Sequence, residues 1–513
     1  MGTQETNERA DAPRLHRGDG SADQSPGARG AGQARGAQVP LAAFNLASAL
    51  ADAACAAGRG GAPALRYGGE TLTYRDLAAL QDGAAALLRE RGVGRGDRVA
   101  LVLPDSPAFI AAFLGALKLA AIPVPLSTLA RPEELAFMLR DSGAAITVTE
   151  NDAAFFADQP GPIAAAATSA DDMCFWQYSS GTTGAPKAVI HLHGRALFPA
   201  EAHGRHVARI TADDRVYSTA KLFFSYGLNN SMVVPLAAGA SVILDPERFA
   251  PDRAWRLIAA ERPTVLYSVP TAYAALLAAA ESGIPADPSS LRACISAGEA
   301  LPAPLAERWL GRFGIAILDG IGSTEIGYIA ISNSVDDVVP GSSGRVIPGY
   351  EARVVDADGA DANEGTLWVR GGSTALGYHD RPDATVATFR DGWVVTGDRY
   401  RITDGHYFHL GRDDDMLRVG AQWVSPLEVE SVLLSHPDVV ECAVVGRADA
   451  DGLLKVCAYV VLRDATPVSE LDELCTERLA RHKRPTWIER VGELPKTATG
   501  KVQRFRLREA ARA

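Results

Sequence analysis

The stretch "IAILDGIGSTE", Ile315–Glu325, decides the fold. Its first four residues are an apolar run of the kind that forms a buried strand. The rest, with Asp, two Gly, two hydroxyls and Glu, reads as a tight turn crowded with hydrogen-bonding groups. Three other segments repeat the pattern: "GDRVALVLP" (96–104), "PTVLYSVP" (263–270) and "ACISAGE" (293–299). Apolar helical patterns alternate with such runs from about residue 41 to residue 410, so the expected architecture is α/β layering. In open α/β sheets, ligands sit beyond the carboxyl ends of the strands. The loops Ser179–Lys187, Ser296–Glu299 and Asp319–Glu325 are therefore expected to converge on one crevice.

The loop "YSSGTTGAPK" (178–187) packs hydroxyls, glycines and one lysine together. Backbone N–H groups in such a turn, with hydroxyls and a lysine, make a concave site for phosphate oxygens. It is not the G-x-x-x-x-G-K-[ST] loop, because Gly181 and Gly184 are too close and Pro186 precedes Lys187.

A chain of 513 residues, 47% hydrophobic and 22% charged, has apolar material for more than one core. Its 51 basic against 62 acidic residues argue against a polyanion-binding surface, so nucleic acid is not an expected partner. The six cysteines show no paired metal spacing, which suits free thiols in a reducing cytoplasm. The most apolar window, "FIAAFLGALKLAAIPVPL" (109–126), is interrupted by Lys118, Pro123 and Pro125, and reads as a helix followed by a buried strand rather than a membrane span. Residues 1–40, rich in Gly, Ala, Arg and Asp, are expected to be a disordered tail.

A large domain over 41–411 is expected to carry the α/β layers. Between about 350 and 410 the turns "DADG", "RDGW" and "TDGH" mark a β-rich subdomain of hairpins. A small α+β domain over 412–513 follows the charged "GRDDD", a natural hinge at Asp414.

Taken in order, "YSSGTTGAPK", "SAGEALP", "GIGSTE", "TGD", "GRDDDML" and "LPKTATGK" resemble the adenylate-forming superfamily of acyl-CoA synthetases, adenylation domains and luciferases. The likeness covers nearly the whole chain beyond the tail. Within it, "KLFFSYGLNN" and "GSSGRVIPGYEARVVD" are most similar to benzoate-CoA ligases and related aryl-acid ligases. The resemblance implies ATP and Mg²⁺, with CoA as probable co-substrate. A carboxylate attacks the α-phosphorus and expels pyrophosphate, and a thiol then releases AMP.

Residue by residue, the resemblance puts Ser179, Ser180, Gly181, Thr182, Thr183 and Gly184 around the β- and γ-phosphates, with Lys187 as the loop's lysine. Lys501 matches the lysine that bridges substrate carboxylate, α-phosphate and ribose. Thr324 reaches the phosphates and Glu325 positions the metal. Asp398 and Arg412 hold the ribose. Ala297, Gly298 and Glu299, with Asp319, Gly320, Ile321, Gly322 and Ser323, line the adenine and the carboxylate. One wall of the acid pocket falls on Ser225, Tyr226 and Gly227, the other on Gly322, Ile326, Gly327 and Tyr328.

An aromatic beside a glycine suits a flat ring, since the missing side chain leaves a slot. Relatives usually carry His near Tyr328 and Ala near Ser225, so two extra hydroxyls are expected to face the acid. Hydroxy-, amino- or cinnamate-like rings all remain open. His191, His193, His203 and His206 lack acidic or cysteine partners at ligand spacing and are expected to be satisfied or exposed imidazoles rather than metal ligands.

The thiol half departs from the family. Ala421 stands where a glycine lines the pantetheine tunnel, and "HKRPTW" has His482 for an aromatic and Thr486 for a base, while Lys483 and Arg484 remain. Three acceptors stay open: CoA, the phosphopantetheine arm of an acyl carrier protein, or an aromatic amine in a nitrite-activating diazotase.

Overall fold

The computed structural model describes residues 44–153, 161–179, 185–413, 415–419, 422–449, 452–463, 466–496 and 502–510. Its centre is a nine-stranded sheet in the order Arg345–Val346, Ile329–Ser332, Ile317–Gly322, Ala293–Ser296, Val265–Ser268, Arg215–Ser218, Ser241–Ile243, Pro63–Tyr67, Glu70–Thr73. The six strands from Ile317–Gly322 to Pro63–Tyr67 run parallel, and the outer pairings are antiparallel. "IAILDGIGSTE" is thus the last parallel strand and the turn that reverses the chain.

After Arg215–Ser218 the chain adds Ser241–Ile243 on one side and then returns to add Val265–Ser268 on the other. That reversal of strand order is the switch point at which open sheets bind ligands. Register aligns Ser268 with Ser296 and Ser296 with Asp319, so polar side chains line up at the carboxyl ends.

The apolar window forms the helix Pro107–Lys118 and the buried strand Ile122–Pro125. Ser106 caps the helix by accepting from the Phe109 N–H, and Pro107 occupies its first turn. No helix among the described residues is long and apolar enough to cross a membrane. The six cysteines are free thiols, five of them buried.

The β-rich subdomain pairs Tyr350–Val355, Glu364–Gly371, Trp393–Thr403 and Phe389–Arg390, with His406–Arg412 joined to Trp393–Thr403. Two of its hairpins turn at Asp391-Gly392 and Asp404-Gly405, all four at positive φ. That is the geometry that makes Asp-Gly a hairpin signal.

The smaller C-terminal part packs the helices Pro426–Leu434 and Val468–Arg478 on strands Val439–Ala448, Leu454–Leu462 and Trp487–Arg490. Buried Glu430 ties it together, accepting from the Val444 N–H at 2.7 Å and from Arg504 at 2.8 and 2.9 Å. Residues 1–40 and Asp414 lie outside the described residues.

Candidate active site

Two hairpin strands, Met173–Ser179 and Lys187–Leu192, carry the phosphate-loop sequence, with Ser179 opposite Lys187. Ser180, Gly181, Thr182, Thr183 and Gly184 lie outside the described residues, as do Lys501 and Ala421.

The short strand Gly377–Tyr378 adds to this hairpin. Its approach is stitched to the "GSTE" turn: the Ala375 N–H donates to the Glu325 carbonyl at 2.9 Å, and Ser373 Oγ donates to the Ile326 carbonyl at 2.6 Å. Tyr378 then links the two motifs. Its hydroxyl donates to Glu325 Oε1 at 2.9 Å, and Lys187 Nζ sits 4.9 Å from its ring centre. Burial, with the Glu325 charge second, pushes the Tyr378 hydroxyl far above its usual range, so it stays a donor. Sequence reasoning missed Tyr378. An isolated Gly-Tyr pair carries no signal of its own, because only the β-pairing brings it to the hairpin.

Asp319 ends the parallel strand at 5% exposure. Burial drives its carboxyl well above the carboxylate range, opposed by Ser296 and the backbone N–H groups of Leu301 and Gly320. Ala297 is buried beside it, while Gly298, at positive φ, is exposed. Ile321, Gly322, Ser323 and Thr324 are half-buried along the same turn, as is Glu299 on its own loop.

Asp398 and Arg412 are register partners on neighbouring strands, 3.2 Å apart, with His409 Nε2 at 3.7 Å from the same carboxylate oxygen. Buried Tyr400, two residues beyond Asp398 on the same strand, has its hydroxyl 3.2 Å from Ser343 Oγ and its ring centre 5.1 Å from that of His409. Burial, then Asp398, and more weakly Asp319 push that hydroxyl far up.

The two pocket walls meet through hydrogen bonds. Ser225 Oγ donates to the Gly327 carbonyl at 3.4 Å, and Asn229 Nδ2 donates to the same carbonyl at 3.1 Å. The Tyr328 hydroxyl donates to Asn230 Oδ1. Tyr226 stacks on Tyr328, with ring centres 6.3 Å apart, and its hydroxyl donates to the Ser268 and Ile295 carbonyls at 3.3 Å each.

Expectations for the pocket walls change. The hydroxyl protons of Ser225 and Tyr328 are engaged inside the wall rather than offered to the acid. Gly227 is buried, and a Cβ there would overlap the Lys221 carbonyl. The sharp loop, not a slot for a ring, therefore demands glycine. Gly322 is likewise set by close pairing, since its Cβ would overlap the Tyr328 carbonyl. Ile326 is fully buried core.

The histidines also divide. His206 is exposed and His193 Nδ1 accepts from the Leu46 N–H. His203, however, is fully buried with no hydrogen-bond partner on either nitrogen. No group of three or more His, Cys, Asp or Glu side chains among the described residues could hold a metal.

A largely parallel sheet with polar residues at its strand ends, and a lysine-bearing hairpin joined to its "GSTE" turn through Tyr378, defines an α/β protein with a ligand crevice at its switch point. The chain belongs to the AMP-binding enzyme family, which matches residues 52–379, with the AMP-binding enzyme C-terminal domain matching 428–501. It is 40% identical to benzoate–CoA ligase of Thauera aromatica over 91% of this chain and 96% of that protein. It is 39% identical to 4-hydroxybenzoate–CoA/benzoate–CoA ligase of Rhodopseudomonas palustris over 92% and 95%. Its structure resembles that of an anthranilate CoA ligase solved with anthranoyl-AMP, at TM-score 0.88 and 36% identity, over 92% and 98% of the two chains. It is an AMP-forming, acid-activating ligase.

Proposed function

We propose that the chain converts an aromatic carboxylic acid to its adenylate with ATP and passes the aroyl group to the thiol of CoA. An acid oxygen attacks the α-phosphorus, the bond to the β-phosphate oxygen breaks and pyrophosphate leaves. The thiolate then attacks the carbonyl carbon and AMP departs. The observation that carries the reading is the Lys187–Tyr378–Glu325 contact, which brings a cation and a carboxylate from distant motifs to one edge of the crevice.

Each assigned group has a stated task. Lys187 and Lys501 supply positive charge against the negative charge that spreads over the phosphoryl oxygens, and Thr324 offers its hydroxyl to the phosphates. Asp398 accepts from the ribose hydroxyls and Arg412 fixes its orientation. Glu325 suits Mg²⁺. Tyr378 engages one of its oxygens, and a single protein carboxylate completed by phosphate oxygens and water is the usual way this ion is held. When bound, the ion offsets charge on the phosphates. Rotation of the small domain about Asp414 exchanges the two half-reactions.

A second acceptor, the phosphopantetheine arm of an acyl carrier protein, is favoured by one observation. In "HKRPTW", Lys483 Nζ is bound to both Glu428 oxygens at 2.6 and 2.7 Å, and Arg484 donates to the Leu479 and Thr476 carbonyls. Both cations are thereby engaged by neighbouring groups, and among the described residues Arg484 lines the ≈ 380 Å³ groove with Lys455 and Arg481. An acceptor without a nucleotide needs less of that surface.

The test is acid-dependent ATP–pyrophosphate exchange, followed by mass analysis of the product with CoA, a phosphopantetheinylated carrier, or nitrite plus an aminoaryl acid. Benzoates should drive exchange and CoA should yield a thioester. Acetate or decanoate outperforming every benzoate refutes the aromatic reading. AMP release that requires nitrite and an amine, with no thioester, refutes thiol transfer.

A further inference from the structure

Behind the Tyr226 wall lies a buried polar cluster that the adenylation chemistry does not use. His203, on the helical segment Ala200–Arg205, has its ring centre 5.1 Å from that of Tyr328, edge to face, and 6.0 Å from that of Tyr267. Tyr267 stands edge-on to Tyr226 at 6.2 Å. His203, Asn230 and Tyr267 are 0% exposed and Tyr328 is 2% exposed. Tyr226 is partly accessible, so it is the open side of this set and His203 the blind end.

The hydrogen-bond inventory does not close. Tyr328 satisfies Asn230 Oδ1, and the Asn230 side chain and Tyr267 hydroxyl interact with the Tyr226 and Tyr328 hydroxyls outside good hydrogen-bond geometry, but both nitrogens of His203 find no partner. Burial pushes the His203 imidazole down to about 3, so at neutral pH it presents one N–H donor and one bare nitrogen. Each such orphan has given up its hydrogen bonds to water with nothing in return. A phenylalanine at 203, against the Tyr328 and Tyr267 rings, would carry no such cost. Buried groups left this way call for a partner in the working complex.

We propose that His203, with Asn230 and Tyr267, forms the specificity floor of the acid pocket and receives a hydroxyl or amino substituent on the aromatic ring. This rests on the aryl-acid reading above. A ring hydroxyl donates one hydrogen bond and accepts others, and an amino group does the reverse; both match a set that offers two or more donors and at least one acceptor. A methyl group of similar size matches none of them. A site built to hydrogen-bond a substituent rejects the analogue lacking it far more strongly than an apolar pocket rejects an extra methyl.

The experiment compares benzoate with 3- and 4-hydroxy-, 3- and 4-amino-, and 3- and 4-methylbenzoate in ATP–pyrophosphate exchange. The wild-type enzyme, His203→Phe and His203→Gln are each assayed, and thermal melts check that they fold. Expected in the wild type is a kcat/KM at least ~30-fold higher for the best hydroxy or amino acid than for its methyl counterpart. His203→Phe should bring that ratio within about 3-fold by raising the methyl acids and lowering the polar ones. His203→Gln, which keeps a donor and an acceptor, should retain part of it. The ¹⁵N resonances of the His203 ring should move on adding the preferred acid and not its methyl analogue.

Methylbenzoates equal to the polar acids, or a ratio that His203→Phe leaves in place, overturn the proposal while the aryl-acid reading stands. If no benzoate drives exchange, that reading falls, and this one with it. Should His203→Phe fail to fold, the wild-type ratio, the Gln variant and the ring resonances still decide.

Discussion

Tyr378→Phe isolates one hydroxyl at the junction of the two phosphate-handling motifs. The residue is 8% exposed, and its O–H donates to Glu325 Oε1 at 2.9 Å. Hydrogen bonds to charged groups contribute about 1.5–3 kcal/mol. Glu325 is half-buried, so the lower end applies, and ~1.5–2 kcal/mol corresponds to roughly 10–30-fold in kcat/KM for exchange. Phenylalanine keeps the ring beneath Lys187 Nζ, so the cation–π contact survives. Tyr378→Leu removes both and should fall further, by another ~0.5–1 kcal/mol. Because the hydroxyl's task is to orient the metal-positioning carboxylate, the Mg²⁺ concentration for half-maximal exchange should rise in Tyr378→Phe. The assay is exchange at saturating acid over a Mg²⁺ titration. An unchanged Mg²⁺ midpoint with unchanged kcat/KM would refute the claim that Tyr378 holds Glu325 in place.

Lys501→Ala should lower acid-dependent exchange by ~10²–10³ while ATP affinity, read by equilibrium titration, weakens far less; equal losses would make Lys501 a binding group only. Gly227→Ala forces a Cβ into the Lys221 carbonyl, so the unfolding free energy from chemical denaturation should drop by about 1–3 kcal/mol or more. Unchanged stability with altered acid selectivity would restore the ring-slot explanation. Asp105, held by burial at about 7 against the partial relief of Lys221 and the Leu222 N–H, keeps its proton in the folded state where the unfolded chain has lost it. Its contribution to stability is therefore complete below about pH 4 and is lost as pH rises through 7, at up to ~1.4 kcal/mol per unit. Asp105→Asn retains an acceptor for the Leu222 N–H and should gain on the wild type between pH 5 and 8 in chemical denaturation; a pH-independent difference would refute the buried-acid account.

The α/β layering could be read from "IAILDGIGSTE" and its three companions because each buried strand is an unbroken apolar run that ends in turn residues. The hairpins of the subdomain were legible for a similarly local reason, since Asp-Gly sits at both positions needing positive φ. Strand order was not. Nothing in the composition of Arg215–Ser218 says that it lies between Ser241–Ile243 and Val265–Ser268, because that placement is settled by long-range packing of the helices between them.

Within the site, motifs located the residues but not their partners. Glu325 and Lys187 were legible singly, while the tyrosine that joins them belongs to no motif. Glycines misled most. Gly227, beside Tyr226, suggests a slot for a ring and Gly322 falls on the opposite wall, yet each is required by a neighbouring carbonyl. Sequence shows that a side chain is absent and cannot show which atom excludes it. His203 errs the other way. It reads as a satisfied or exposed imidazole, and only the inventory of its surroundings shows it buried with both ring nitrogens without partners. An enzyme that must bind a polar ring substituent needs unsatisfied groups in its free state, so the local rule that buried polar atoms are paired should fail at the position that selects the substrate.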